Sequence, residues 1–180
     1  MQWNSNGLQN RILELKLLLK QLEIDIIAIS ETHETNKTHL KIPYYTYLRH
    51  TTPQRKSTRR IGNLHKNNIK YVQPSSYQTD KIQATTVNIT QHNRDVNISA
   101  IYCSPKQAIS TEEFNKFFKS YKTKFIALGY LNAKHNHWGS RTNNPKGKNL
   151  YQCIKINNLK IYAPGRPTNL PSDPKKYRTS

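Results

Sequence analysis

The sequence predicts an α/β layered fold, on three observations. The opening alternates a short strand, an amphipathic helix and a β-branched apolar strand. A capped helix with an aromatic stripe then precedes another short buried strand. The composition, 34% hydrophobic and 9% aromatic over 180 residues, is enough for one domain with a lean core and excludes a wholly disordered chain. No window approaches the ~20 apolar residues of a membrane-spanning helix, and Met1 to Gly7 is not a charged segment leading into an apolar one. Membrane insertion and secretion are therefore not expected. Cys103 and Cys153 are too few for a disulfide framework or a zinc cluster, so ordinary burial in an intracellular compartment, nucleus or cytoplasm, is expected.

Taken in order, the first strand lies around Gln2 to Asn4. Leu8, Ile12, Leu15, Leu19 and Leu22 follow at helical spacing, which predicts a helix from Leu8 to Leu22 with Glu14 and Glu23 on its solvated face. Ile24 to Ile29 is a buried strand ending at Ser30-Glu31-Thr32-His33, and this strand–helix–strand unit puts both strands in one sheet. Ile42 to Leu48 forms a short aromatic strand. Gln83 to Ile89 and Val96 to Tyr102 form two more, joined by the polar connection Gln91 to Asp95. In the second of these, Val96, Ile98, Ala100 and Tyr102 share one face, and Asn97 and Ser99 the other. Ser110 and Glu113 have capping-box spacing, and Phe114, Phe117, Phe118 and Tyr121 make a core-facing stripe. A buried strand from Lys124 to Leu128, a polar loop from Gly129 to Lys148, a helix from Asn149 to Asn157 and a strand from Leu159 to Ala163 complete the order.

Charge directs the search for a partner. With 29 Lys+Arg against 10 Asp+Glu the formal charge is +19. Unpaired cations are too costly to bury, so a positive surface and a polyanionic partner are expected. The bases are spread along the chain, with local runs at Arg55-Lys56-Ser57-Thr58-Arg59-Arg60 and Lys175-Lys176-Tyr177-Arg178. Acids are scarce. Metal-dependent phosphate chemistry would have to draw on Asp25, Asp80, Asp95, Asp173, Glu14, Glu23, Glu31, Glu34, Glu112 and Glu113.

Polar clusters fall at three strand ends: Asn4 with Asn6, Glu31 with His33, and Asn132 with Lys134, His135 and His137. Ligands bind at strand ends in open α/β folds, and a carboxylate with amides suits Mg²⁺; Glu31 is the one good ligand of the set. The plainer readings are a salt-bridged strand-end carboxylate for Glu31, a core phenol for Tyr102, and turn residues for Asn4 and Asn132. His33, His135 and His137 lack zinc-site spacing and read as loop histidines.

Four motifs, in order and spacing, resemble the endonuclease domain of jockey-like non-LTR retrotransposons, within the endonuclease/exonuclease/phosphatase superfamily. They are Trp3-Asn4-Ser5-Asn6-Gly7-Leu8, Ser30-Glu31-Thr32-His33, Ile101-Tyr102-Cys103-Ser104-Pro105, and the run from Leu131-Asn132-Ala133-Lys134 to Arg141. The resemblance implies a four-layered, DNase I-like α/β sandwich that nicks DNA with Mg²⁺ for a linked reverse transcriptase, which lies outside this chain. By position, Glu31 would ligand the metal and Asn4 would organise the metal and phosphate site. Tyr102 would hydrogen-bond the scissile phosphate, and Asn132 would hold the phosphate or the water. Arg59, Arg60, Lys134 and Arg141 would contact DNA phosphates. Residues 1–168 would form a partial domain and 169–180 a poorly ordered basic tail.

Three departures from that pattern predict impaired catalysis. Where the family has Gly-Asp-x-Asn, this chain has Gly129-Tyr130-Leu131-Asn132, and a phenol with an ordinary pKa near ~10 is a poor base at pH 7. Where the family has a Gly-Gly pair opening a strand, Arg59-Arg60-Ile61-Gly62 stands, so that strand is expected to be perturbed; Asn63 and His65 also occupy apolar positions. The family's late Asp and Ser-Asp-His motif have no counterpart before Ser180, so the fold is expected to be incomplete at the C-terminus, with a sheet edge uncovered. Asp173, in a Pro-Ser-Asp-Pro turn, is not a substitute. The alternatives are a non-catalytic nucleic-acid-binding remnant of the same domain and, less well matched, a phosphomonoesterase.

Overall fold

The computed structural model describes residues 1–34, 40–49, 61–91 and 94–163. It is mixed α/β with two four-stranded sheets. The strands are β1 (Gln2–Asn4), β2 (Ile26–Ser30), β3 (Tyr45–Arg49), β4 (Gly62–Lys66), β5 (Tyr71–Gln78), β6 (Ile82–Gln91), β7 (Arg94–Cys103) and β8 (Lys124–Tyr130); the helices are α1 (Ile12–Gln21), α2 (Thr111–Lys119) and α3 (Pro145–Ile156). The chain divides into two compact units. One comprises Met1–Ser104 with Tyr121–Leu131, and the other Pro105–Ser120 with the chain from Asn132.

The first unit holds both sheets. Their orders are β1-β2-β4-β3 and β5-β6-β7-β8. The pairs β1–β2 and β7–β8 are parallel and the other neighbours antiparallel. A core of Leu8, Leu15, Leu19, Ile27, Ile29 and Leu64 packs α1 on the first sheet. On the opposite face of that sheet, Asn63 Nδ2 donates to the Thr85 carbonyl of the second sheet at 2.7 Å. The layers run helix, sheet, sheet because β2 and β4 turn Ile27, Ile29 and Leu64 toward α1 and carry Ala28, Ser30, Asn63 and His65 on the other face.

Several sequence expectations are corrected here. The first helix begins as a 3-10 turn at Leu8–Arg11 and ends at Gln21; Leu22, placed on the apolar stripe, is 59% exposed because the chain has already left the helix. Strand β4 is regular, central and buried, not perturbed, since pairing with β2 and β3 on both sides fixes its register. Both faces of β7 are buried toward its C-terminal end, with Ser99, Ile101 and Cys103 on one and Ala100 and Tyr102 on the other. Ser99 is accommodated by a 2.8 Å hydroxyl pair with Thr86. Strand β5 escaped the sequence reading because its polar residues show no clean period. The run Arg55 to Arg60, residues 92–93 of the polar connection and residues 164–180 lie outside the described residues.

In the second unit α2 has the expected capping box, with Ser110 Oγ accepting from the Glu113 amide at 3.2 Å and Glu113 Oε2 accepting from the Ser110 amide at 2.8 Å. Phe114 and Phe117 are fully buried. Asn149 donates to the Ile109 carbonyl at 2.8 Å, and Asn157 to Asn115 Oδ1 at 2.6 Å, tying α3 to α2 and its approach. α3 starts at Pro145, four residues before the expected Asn149, because Asn144 caps it and Pro145 sits at the first helical position. Leu159 to Ala163 form no strand: the Leu159 amide closes on the Ile154 carbonyl, and Tyr162 is 88% exposed. Both cysteines are free and buried as expected. Burial pushes the Cys153 thiol up to about 11.

Candidate functional site

In the first unit the parallel strands align their C-terminal ends. Asn4 pairs with Ser30, the residue before Glu31, and Tyr102 pairs with Tyr130. The loops leaving β1 and β2 are laced together. Ser5 N and Oγ donate to the Ser30 carbonyl at 3.0 and 3.2 Å, Gly7 N to Glu31 O at 2.9 Å, and Leu8 N to Thr32 O at 3.0 Å. Asn4 Oδ1 accepts from the Asn6 amide at 3.1 Å, which orients that side chain.

Glu31 stands out on two counts. Its φ of 54° is in the left-handed region, as are those of Asn6 and His33, and a non-glycine residue is held there only when its surroundings over-determine it. Its half-buried carboxylate has no hydrogen-bond or ion-pair partner among the described residues, although the chain carries +19 charges. By contrast Asp25 meets Lys66 at 2.7 Å and Glu14 meets Arg11 at 3.0 Å. The salt-bridge alternative for Glu31 therefore has no partner among these residues.

Tyr130 lies beside Glu31 and Tyr102. Burial first, and then the Glu31 carboxylate and the Tyr102 phenol, raise the Tyr130 phenol above its ordinary value, so it is neutral at pH 7. Tyr102 is itself buried. Among the described residues, the Tyr130 phenol is the group placed next to the Glu31 carboxylate, with the Tyr102 phenol beside it. Among the described residues no group of three or more His, Cys, Asp or Glu is placed to hold a metal ion. A single carboxylate does not amount to a preformed Mg²⁺ site.

Glu34, named in the sequence only as one of the scarce acids, has a definite place in the structure. It is buried, its Oε2 accepts from the Tyr47 hydroxyl at 2.6 Å, and burial followed by the Glu34 charge pushes that phenol well above its ordinary value. The pair anchors the segment carrying Glu31 to strand β3. An acid so close to Glu31 in an acid-poor chain was the available signal.

Asn132, Lys134 and Arg141 belong to the second unit, in the loop leading to α3. Asn132 is again left-handed, with φ 53°. Asn144 is the loop's organiser: its Oδ1 accepts from Lys134 N at 3.0 Å and Gly147 N at 2.7 Å, and its Nδ2 donates to Asn132 O at 3.1 Å. Lys134 and Arg141 are exposed. Arg59 and Arg60 lie outside the described residues.

Two sheets with helices, ordered in this way, constitute the endonuclease/exonuclease/phosphatase, DNase I-like, fold. The structure aligns with the endonuclease domain of TRAS1, a telomere-specific non-LTR retrotransposon, at a TM-score of 0.70 and 19% identity, covering 93% of this chain and 74% of that one. An AP endonuclease from Leishmania major aligns at a TM-score of 0.64 and 12% identity, over 86% and 65% of the two chains. At the level of family, residues 96–177 match the endonuclease-reverse transcriptase model. Among curated relatives, the probable RNA-directed DNA polymerase from transposon BS of Drosophila melanogaster is 26% identical over 174 residues, and that from mobile element jockey of the same fly 28% identical over 166. These matches cover 96% and 92% of this chain but 19% and 18% of the relatives. The resemblance to jockey-like retrotransposon endonucleases therefore holds along the chain, which spans about a fifth of those relatives' length. No helix among the described residues is long and apolar enough to cross a membrane.

Proposed function

We propose that this chain is the DNA-nicking endonuclease domain of a non-LTR retrotransposon polyprotein, linked in its full context to a reverse transcriptase, and that its catalysis is impaired. The observation that carries the impairment is Tyr130, a neutral phenol beside Glu31 where the resemblance calls for an aspartate. Glu31 is the residue that would meet Mg²⁺, whose contribution would be to neutralise phosphate charge. Asn4 and Tyr102 would orient the phosphate, Asn132 the phosphate or the water, and Lys134, Arg141, Arg59 and Arg60 the DNA backbone. General-base help is worth about 10² to 10⁴ in rate, so its loss is enough to suppress nicking. Residues 1–168 are proposed to be the part of the domain held here, with 169–180 as a basic tail.

Nicking of supercoiled plasmid in Mg²⁺ tests this. The expected result is weak or undetectable nicking, a gain of about 10²-fold in Tyr130→Asp with no gain in Tyr130→Phe, and removal of that gain by Glu31→Ala. Robust nicking by the unaltered chain that disappears in Glu31→Ala would sink the impairment. The second reading, a non-catalytic nucleic-acid-binding remnant, is favoured by the +19 charge combined with the lack, among the described residues, of a cluster of three or more metal-ligating side chains. DNA binding with no nicking in Tyr130→Asp would select it.

A further inference from the structure

The second unit displays a row of aromatic rings that the nicking chemistry does not use. His135 stacks on Tyr151 with centroids 4.4 Å apart and planes 17° apart, and Trp138 lies 5.1 Å from the same His135 ring. His137 lies 4.9 Å from Tyr151, and Lys155 Nζ sits 5.7 Å from the Tyr151 centroid. His137 is exposed and the other three rings are half-buried.

The row is held rigidly. Trp138 Nε1 donates to the Ala133 carbonyl at 3.1 Å, the His137 amide to His135 Nδ1 at 3.1 Å, and the Asn136 amide to Asn143 Oδ1 at 2.8 Å. Gly147 seats the loop on α3, since a Cβ there would fall 1.8 Å from the Lys134 carbonyl oxygen. The loop and α3 carry charge of one sign: from Asn132 to Ala163 the chain has no Asp or Glu, while Lys134, Arg141, Lys148, Lys155 and Lys160 are all exposed; the acids of this unit among the described residues, Glu112 and Glu113, lie in the first turn of α2.

We propose that this row is a stacking platform for an unpaired nucleic-acid strand, in which His135 and Tyr151, whose facing surfaces cover each other, back the exposed His137 ring on which a base stacks, with the phosphates on the adjacent cations. A paired duplex keeps its base faces covered and would use only the cations. An unpaired strand uses both, and base stacking on rings is tolerant of sequence. The platform rests on the reading of the chain as a nucleic-acid-acting domain, but involves none of Asn4, Glu31, Tyr102 or Tyr130.

Fluorescence anisotropy with labelled oligothymidine, oligouridine and a hairpin duplex tests it, both single strands being probed because ring stacking does not read the sugar. In the unaltered chain, His137→Ala, a change at an exposed position, is expected to weaken single-strand binding about 5-fold or more while leaving the duplex within about 2-fold. Tyr151→Phe is expected to retain single-strand binding, and Tyr151→Leu to lose it at an unchanged melting temperature. Equal losses on strand and duplex, or no loss on either single strand, would overturn the platform and leave the proposed function standing. Absence of binding to all three probes at low salt would overturn both.

Discussion

At the scale of single residues, β4 carries an unusual cost. Asn63 and His65 are 0% and 1% exposed, and Asn63 Oδ1 and His65 Nε2 have no hydrogen-bond partner among the described residues. The His65 ring packs edge-on against Tyr71 with centroids 4.5 Å apart, and its Nδ1 lies 3.1 Å from the Lys66 carbonyl, which also accepts from Ile69 N. A phenyl ring keeps the aromatic contact and removes the orphaned nitrogen. His65→Phe is expected to stabilise the fold by about 1 kcal/mol, seen as a higher urea midpoint at unchanged slope. A lower midpoint would mean that Nε2 has a partner outside these residues. That the two positions are apolar in character was legible from the resemblance; that polar atoms are left over there was not, because a partner can only be counted once β6 lies opposite.

At the scale of elements, the α2 capping box was readable because both partners are three residues apart and every bond is local. The start of α3 was not. Asn144-Pro145 is a sound helix-start signal, but Gly147, two residues on, argues for a loop on composition alone. Gly147 is there for a tertiary reason, the Lys134 backbone against which α3 is pressed. Gly147→Ala is expected to destabilise the protein by at least about 2 kcal/mol, measured by chemical denaturation, since the clash is with main chain that cannot rotate away. Gly129 in β8 is in the same position, with its added Cβ falling 1.8 Å from Ile101 O. An unchanged midpoint in Gly147→Ala would show that the loop yields, and with it the rigidity assigned to the ring row.

At the scale of the whole molecule, the net charge of +19 makes any DNA binding electrostatic in its main part. Affinity for duplex DNA is expected to fall by an order of magnitude or more between ~50 and ~200 mM salt, with log K linear in log salt concentration. A flat salt response would remove the phosphate backbone as the partner.

The sequence by itself determined the α/β class, the placement of the first two strands in one sheet, the buried aromatic face of α2 and the family resemblance. Each rests on local periodicity or on contiguous motifs. Only the tertiary structure decided that Tyr130 stands beside Glu31, that Glu31 lacks a counter-charge among its described neighbours, that Glu34 is held by Tyr47, and that His135, Trp138 and Tyr151 form one row. Those relations join residues far apart in the chain, and spacing along a sequence does not reveal which strand ends a fold brings side by side or which rings a helix meets.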